Sequence, residues 1–236
     1  MVDWNRSLNL RSPVVLIALV AAGATAAVLW FLYWPDQAQK DAISRLAGMG
    51  AMIERDDNGN ALSVRINPGT SLKALEQLVF LPRLKTLGLP TTDATDADLV
   101  HLSHLTALEE LTLSGNRELT DEGLKKLGDL INLKELYLTD IPIDGSVISS
   151  WSRLTSLEEL NLSYTKLDEK NLVHLSEMKN LKLLDVTYTD FSDAGLEFVR
   201  GLKQLSVLFV MATRVTPEGA AELKKALPDV NVKFGL

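Results

Sequence analysis

The chain has 236 residues, 46% hydrophobic and 23% charged, with no cysteine, three histidines and a formal net charge of −7. It is too apolar for a disordered chain, and its 14 glycines and 8 prolines are far too few for a fibrous one. The missing cysteines exclude disulfides, thiolate metal sites and a thiol nucleophile. The acidic balance argues against a nucleic-acid partner, whose phosphates call for a basic face.

In chain order, a short tail over 1–12 precedes an uncharged run from Val14 to Trp34. As a helix, a run of this length covers roughly 30 Å, the thickness of a bilayer core. Pro13 suits a first helical turn, Pro35 is expected to stop the helix, and Trp30, Phe31, Tyr33 and Trp34 cluster at one end as interfacial aromatics do. Ala24-Thr25-Ala26 imitates a signal-peptide cleavage site, but the apolar run is longer than a signal h-region. The segment 13–35 therefore reads as a retained signal anchor, with the membrane crossed by 14–34. Arg6 and Arg11 before it balance Lys40 and Arg45 after it. The closer Arg11, set against Asp36, leans the orientation toward an inside N-terminus.

Residues 36–50 read as a linker helix made flexible by Gly48 and Gly50. Residues 51–83 read as a cap: Ala51 to Ile66 alternates around Asp57-Asn58-Gly59-Asn60, a hairpin signal, and a helix from about Ser71 to Phe80 follows.

From Leu84 onward the pattern L-x-x-L-x-L repeats. It occurs at Leu84, Leu87, Leu89; Leu108, Leu111, Leu113; Leu133, Leu136, Leu138; Leu157, Leu160, Leu162; Leu181, Leu184, Val186; and Leu205, Leu208, Val210. The steps between first positions are 24, 25, 24, 24 and 24 residues, giving six repeats over 84–227. Each opens with the alternation of a short strand and ends in apolar residues three apart, such as Leu99, Leu102, Leu105 and Leu172, Leu175, Met178, which make one stripe on a short helix. Thr120-Asp121, Ser192-Asp193 and Thr216-Pro217 are helix-start signals, and Thr95 to Asp98 has the form of a capping box. Residues 228–236 read as a capping strand.

These residues resemble the leucine-rich repeat in its helix-bearing form, L-x-x-L-x-L-x-x-T-x-I-x-D-x-G-L-x-x-L-x-x-L. That form occurs in ribonuclease-inhibitor-like and F-box-associated arrays and in bacterial membrane-anchored proteins. The resemblance covers about Leu84 to Phe234. It implies an α/β solenoid, with a parallel sheet on the concave face and helices on the convex one, here preceded by one transmembrane helix. Asn116 matches the family's ladder asparagine. Thr92, Ile141, Thr165, Thr189 and Thr213 stand at that position elsewhere, so a continuous ladder is not expected. No F-box-like helical region precedes the repeats, which argues against carrying over a ubiquitin-ligase role.

The catalytic inventory is thin. No G-x-S-x-G, P-loop, H-E-x-x-H or Rossmann glycine pattern occurs. His101, His104 and His174 fall on the solvent side of convex helices, where repeat history explains their recurrence better than metal ligation does. No cofactor and no enzyme activity is expected.

The strand face is more informative. Beside the ladder leucines, one column reads Thr86, Glu110, Glu135, Glu159, Leu183, Val207 and the next reads Gly88, Thr112, Tyr137, Asn161, Asp185, Phe209. A third reads Pro90, Ser114, Thr139, Ser163, Thr187, Met211, with Tyr164 and Tyr188 beside it. An acidic middle thus gives way to an apolar patch of Leu183, Val207, Phe209 and Met211. Either this patch is an exposed contact site, or the terminal strand and Phe234-Gly235-Leu236 fold over it.

The expected function is a non-catalytic, membrane-anchored module that recognises a protein through its concave face. The contact residues would be Glu110, Glu135, Tyr137, Glu159, Leu183, Asp185, Tyr188, Val207, Phe209 and Met211. Its expected place is a bacterial inner membrane, with the repeats outside the cytoplasm. The alternatives are a structural or self-associating envelope protein and a non-catalytic subunit or adapter of an enzyme complex.

Overall fold

The computed structural model of the protein describes residues 26–235. Nine strands form one sheet in sequence order. They are β1 (Met52–Arg55), β2 (Ala61–Arg65), β3 (Thr86–Gly88), β4 (Glu110–Thr112), β5 (Glu135–Tyr137), β6 (Glu159–Asn161), β7 (Leu183–Asp185), β8 (Val207–Phe209) and β9 (Asn231–Lys233). β1 and β2 pair antiparallel, with a register shift at Glu54/Arg55, and every later pair is parallel.

The repeat period fixes the register. Val64, Leu87, Leu111, Leu136, Leu160, Leu184, Leu208 and Val232 lie in line across the parallel strands. All but Val232 are fully buried. Successive strand residues point to opposite sides, so this column faces the core and its two neighbours in each strand face outward. The sheet extends beyond the six leucine-marked repeats, because β2 and β9 join it in the same parallel register.

The returning half of each repeat is mostly 3₁₀ rather than α. Such helices cover Leu72–Phe80, Asp98–Leu102, Lys125–Asp129, Ser146–Trp151 and Glu169–Glu177, while α-helix is found at Asp121–Leu124, Asp193–Val199 and Pro217–Ala226. Apolar residues spaced by three fit the three-residue turn of a 3₁₀ helix, which keeps them eclipsed on one side. Leu99, Leu102, Leu105, Leu124, Leu127, Leu130, Ile148, Trp151 and Leu154 are all buried accordingly.

The hydroxyl caps act where the sequence places them. Thr120, Ser192 and Thr216 accept from the backbone N–H of Gly123, Ala194 and Gly219. The acids beside them act differently from the own-helix capping read in the sequence: they bridge repeats. Asp96 accepts from the Thr120 N–H at 2.9 Å and its hydroxyl at 2.6 Å, and Asp193 does the same for Thr216 at 2.8 and 2.7 Å. Asp121 accepts from the N–H groups of Asp144, Gly145 and Val147. Each acid thus secures the helix start one coil further along, joining neighbours through charge-assisted bonds. The glycines are part of this joint: a Cβ at Gly123 would lie 2.0 Å from Asp96 Oδ1, and one at Gly219 would lie 2.1 Å from Asp193 Oδ1.

Asn116 is fully buried and saturated. Its carbonyl accepts from the Thr92 and Ala94 N–H groups at 2.9 and 3.0 Å, and its amide donates to the Leu89 and Leu113 carbonyls at 2.7 and 2.6 Å. Thr165, Thr189 and Thr213 bond only within their own coil: each donates to the carbonyl three residues earlier, Leu162, Val186 and Val210, and Thr189 and Thr213 also accept from the Phe191 and Val215 N–H groups. At this ladder position the side-chain link between coils is therefore local to the first two repeats.

At the N-terminal end a helix runs from Ala26 to Gly48 without stopping at Pro35. A proline deletes one helical donor, here the one that would reach the Phe31 carbonyl, and the ladder closes on either side of it. Ala42, Ile43 and Leu46 are buried in the same core as Leu75 and Leu78, so this helix covers the open end of the solenoid. Gln39 donates to Asn60 at 2.9 Å. The segment over Gly48 to Gly50 is a closed turn rather than a free linker: Gly50 takes φ +89°, and the Ala51 N–H donates to the Leu46 carbonyl. The first part of the expected membrane span, 13–25, lies outside the described residues. Among the described residues no helix is long and apolar enough to cross a membrane.

Candidate protein-binding face

Three-residue strands offer little side-chain variety, so the outward face is two columns wide. The first column runs Ser63, Thr86, Glu110, Glu135, Glu159, Leu183, Val207, Asn231, and the second runs Arg65, Gly88, Thr112, Tyr137, Asn161, Asp185, Phe209, Lys233. Neighbouring strands stand about 4.8 Å apart. The side chains read from the sequence as contact residues therefore lie on one continuous surface. Glu110, Glu135, Glu159, Leu183 and Val207 share one column; Tyr137, Asp185 and Phe209 share the other; Met211 and Tyr188 stand on the adjoining rim. All are half-buried except Tyr188, which is exposed.

The acidic column is held by a phenol. Tyr137 lies across the two strands so that its hydroxyl donates to Glu135 at 2.7 Å and stands 3.2 Å from Glu159. Burial and the two carboxylates push the Tyr137 phenol well above its ordinary range, so it stays a donor. Burial and the neighbouring Glu135 charge also raise the Glu110 carboxyl, against a weak bond from the Thr86 hydroxyl. Among the described residues, no lysine or arginine forms an ion pair with Glu110, Glu135 or Glu159.

One position earlier in the repeat the pattern differs. Lys85, Glu109, Lys134, Glu158 and Lys182 alternate in sign along the solenoid. Glu109 is paired with Lys85 and, at 2.6 Å, with Lys134; Glu158 pairs with Lys182 at 2.6 Å. The Lys134 and Lys85 ammonium groups hold the Glu109 carboxyl below the usual carboxylate range. The alternation is plain in the sequence once the repeats are aligned, one position before the outward-facing column.

Toward the C-terminus the face becomes a cleft of about 450 Å³, lined by Ser163, Tyr164, Asp185, Thr187, Phe209, Met211 and Gly235. The tyrosine rings at 164 and 188 stack with centroids 4.4 Å apart and planes 17° from parallel. They remain 51% and 48% exposed. Among the described residues, which leave out Leu236, the terminal strand does not roof the patch. β9 extends the sheet sideways from β8, Phe234 is exposed, and Gly235 forms only one wall of the cleft.

Sequence reasoning missed the two ends of the face, Arg65 on β2 and Lys233 on β9. A signal was present: Ala61-x-x-Val64-x-Ile66 is a repeat with its leucines replaced, 23 residues before Leu84. On the opposite side of the solenoid, His101 and His174 are half-buried and His104 is exposed, with His174 Nδ1 2.8 Å from Glu177. Among the described residues no group of three acidic or histidine side chains is placed to hold a metal ion.

A family model described as Leucine Rich repeat matches residues 101–128 and 177–199. The chain carries leucine-rich repeats. Among solved structures it is similar to an internalin, inlF, from Listeria monocytogenes, with 26% identity over 73% of this chain and a TM-score of 0.57. It spans 46% of that internalin's length. Internalin C2 from the same organism shares the fold at 18% identity and a TM-score of 0.55, with 83% of this chain and 92% of that one covered. No curated protein matches the chain.

Proposed function

We propose that this leucine-rich repeat protein is a non-catalytic module that binds another protein through the outward face of its sheet, and that the uncharged run Val14–Trp34 holds it at a membrane. The observation that carries the binding reading is the cleft beside Phe209 and Met211, open between half-exposed apolar and aromatic side chains on a sheet whose backbone is already fixed. Such a surface loses little conformational freedom on association. Apolar surface left open on an otherwise charged protein marks an interaction site. Aromatic side chains at the centre of such a surface serve as anchors. Support for the membrane reading comes from the sequence: length, absence of charge and terminal aromatics suit a bilayer span. The lean of the flanking arginines would put the repeats outside the cytoplasm of a bacterial cell. Confinement at a bilayer would raise the effective concentration of the face toward partners in the same envelope.

The test is capture from native membranes with tagged full-length protein, run beside a Val207→Asp/Phe209→Asp variant whose melting curve shows it folded. A protein retained by the wild type and lost by the variant is the expected result. Equal capture by both removes the cleft from the binding surface. Alkaline extraction of the same membranes checks the anchor: the protein should stay in the pellet, and release into the supernatant would end that reading.

A further inference from the structure

We infer that the segment bound on this face is cationic at one end and apolar at the other, with lysine or arginine over the Glu110–Glu135–Glu159 column and an aliphatic or aromatic side chain in the cleft beside Phe209 and Met211. The inference rests on the protein-binding reading above and specifies its partner chemistry.

Three features converge on it. The first is the cleft itself, whose 450 Å³ is within the range of sites that enclose a small ligand or a large side chain. Its rim is built from residues in an unfavourable backbone conformation: Tyr164 and Tyr188 have φ of +57° and +54°. Every coil has a residue near this conformation at the equivalent place, namely Thr91, Gly115, Asp140 and Ala212. The fold therefore requires the bend, but not a tyrosine at it. Glycine would be the least strained choice there, whereas this chain carries two adjacent aromatic rings that stack and stay half in solvent.

The second is charge that the molecule leaves unanswered. Between Arg65 and Lys233 at its two ends, the strand face carries Glu110, Glu135, Glu159 and Asp185 and no cation. The flanking row shows that this chain readily supplies lysines to its glutamates, at Glu109 and Glu158. Like charges on adjacent strands repel, and Tyr137 offers a single proton to two carboxylates. An incoming ammonium or guanidinium group would relieve the repulsion and meet charge-assisted acceptors already in place.

The third is spacing. Glu159 lies on β6, two strands from Phe209 on β8, and Glu110 on β4 lies four strands away. At about 4.8 Å per strand, the basic and apolar groups of the segment would stand roughly 10–19 Å apart. An extended chain spans this in about three to six residues and a helix in about seven to thirteen. Both are ordinary lengths for one recognition element.

The experiment uses the full chain in detergent micelles, panned against a phage-displayed random dodecapeptide library. Recovered peptides are then titrated against three folded forms: wild type, Glu110→Gln/Glu135→Gln/Glu159→Gln, and Phe209→Ser/Met211→Ser. The isosteric glutamine changes keep the face intact if the serine pair proves unstable. Expected are peptides that combine clustered lysine or arginine with an aromatic or large aliphatic residue. Their affinity should fall roughly tenfold in the glutamine variant, and by a similar factor when salt is raised about threefold above physiological strength. Peptides that lose binding in the serine variant but are neutral or acidic would overturn the cationic chemistry and leave the protein-binding reading standing. Peptides indifferent to both variants, or a library that yields none, would overturn both.

Discussion

The two sides of the same sheet obey different rules. Facing the core, the central strand residue is leucine in all six marked repeats, Leu87, Leu111, Leu136, Leu160, Leu184 and Leu208, and every one is fully buried. Facing outward one residue away, the column changes from threonine through three glutamates to leucine and valine. The inner side repeats because each coil presents the next with the same hole to fill, and close packing punishes a change in volume or polarity. The outer side has no such obligation, so what varies there reflects what the surface meets. Leu136→Asp and Glu135→Ala make the sharpest test, being neighbours on opposite sides of β5. The aspartate would bury an unpaired carboxylate at a cost of about 4–5 kcal/mol, enough to abolish cooperative folding. The alanine should move stability by less than about 0.5 kcal/mol in the same chemical denaturation series. Similar losses from both would mean that the outer column is also structural.

A second contrast lies within the core, between the asparagine-bearing coil and the threonine-bearing ones. Asn116→Ala strands the Thr92 and Ala94 donors and the Leu113 acceptor inside the solenoid. A loss of about 3 kcal/mol is expected, since buried polar groups without partners are costly. Thr189→Ala removes two local bonds, one to the Val186 carbonyl and a longer one from the Phe191 N–H, and should cost about 1–1.5 kcal/mol. Thermal melts of the two variants measure the gap, and equal shifts would show that Asn116 does not tie its coil to the one before.

These contrasts also explain what could be read from the sequence. The leucine spacing carries the solenoid because it reports a buried, repeated environment; the hydroxyl caps are legible because each acts within its own helix. The acids Asp121 and Asp193 read as capping their own helices, and Asp96 carries no signal of its own, because their partners lie about 24 residues onward and only the coil brings them together. β2 went unrecognised as part of the repeat sheet because Ala61 and Val64 stand in for leucines beside a hairpin turn. On the functional face, the columns followed directly from the register. Whether the C-terminal tail covered Phe209 did not, because strand alternation says nothing about where a chain end travels.

The inter-repeat acids support a smaller prediction. Gly123→Ala adds a methyl group where Asp96 sits, so the carboxylate must swing away and release the Thr120 N–H and hydroxyl. Alanine regains up to about 1 kcal/mol of helix propensity over glycine. The net loss should be about 1–2 kcal/mol. Asp96→Ala/Gly123→Ala should then cost little more than Asp96→Ala alone, because the clash disappears with its partner. Additive losses in that double-mutant cycle would show that the glycine serves something other than the joint.

The smallest effect bears on the outward face itself. Glu110→Gln removes one charge from the column without changing its shape, and at neutral pH it should stabilise the free protein by about 0.5 kcal/mol. The sign follows from linkage. Burial first, and the Glu135 charge second, raise the Glu110 carboxyl above its unfolded value. The folded state therefore holds that proton more tightly than the unfolded one, and the resulting stability is present in acid and lost as pH rises through the raised pKa. Glutamine does not titrate, so its advantage over wild type should be largest near neutrality and shrink as acidification protonates Glu110. Denaturation curves across that range measure it. A gap that grows toward acid would mean that the glutamate is stabilised where it stands, and the column would then need no cation to complete it. A gap that closes would show a surface that folds at a small electrostatic disadvantage when free, as expected of one shaped for a cationic partner.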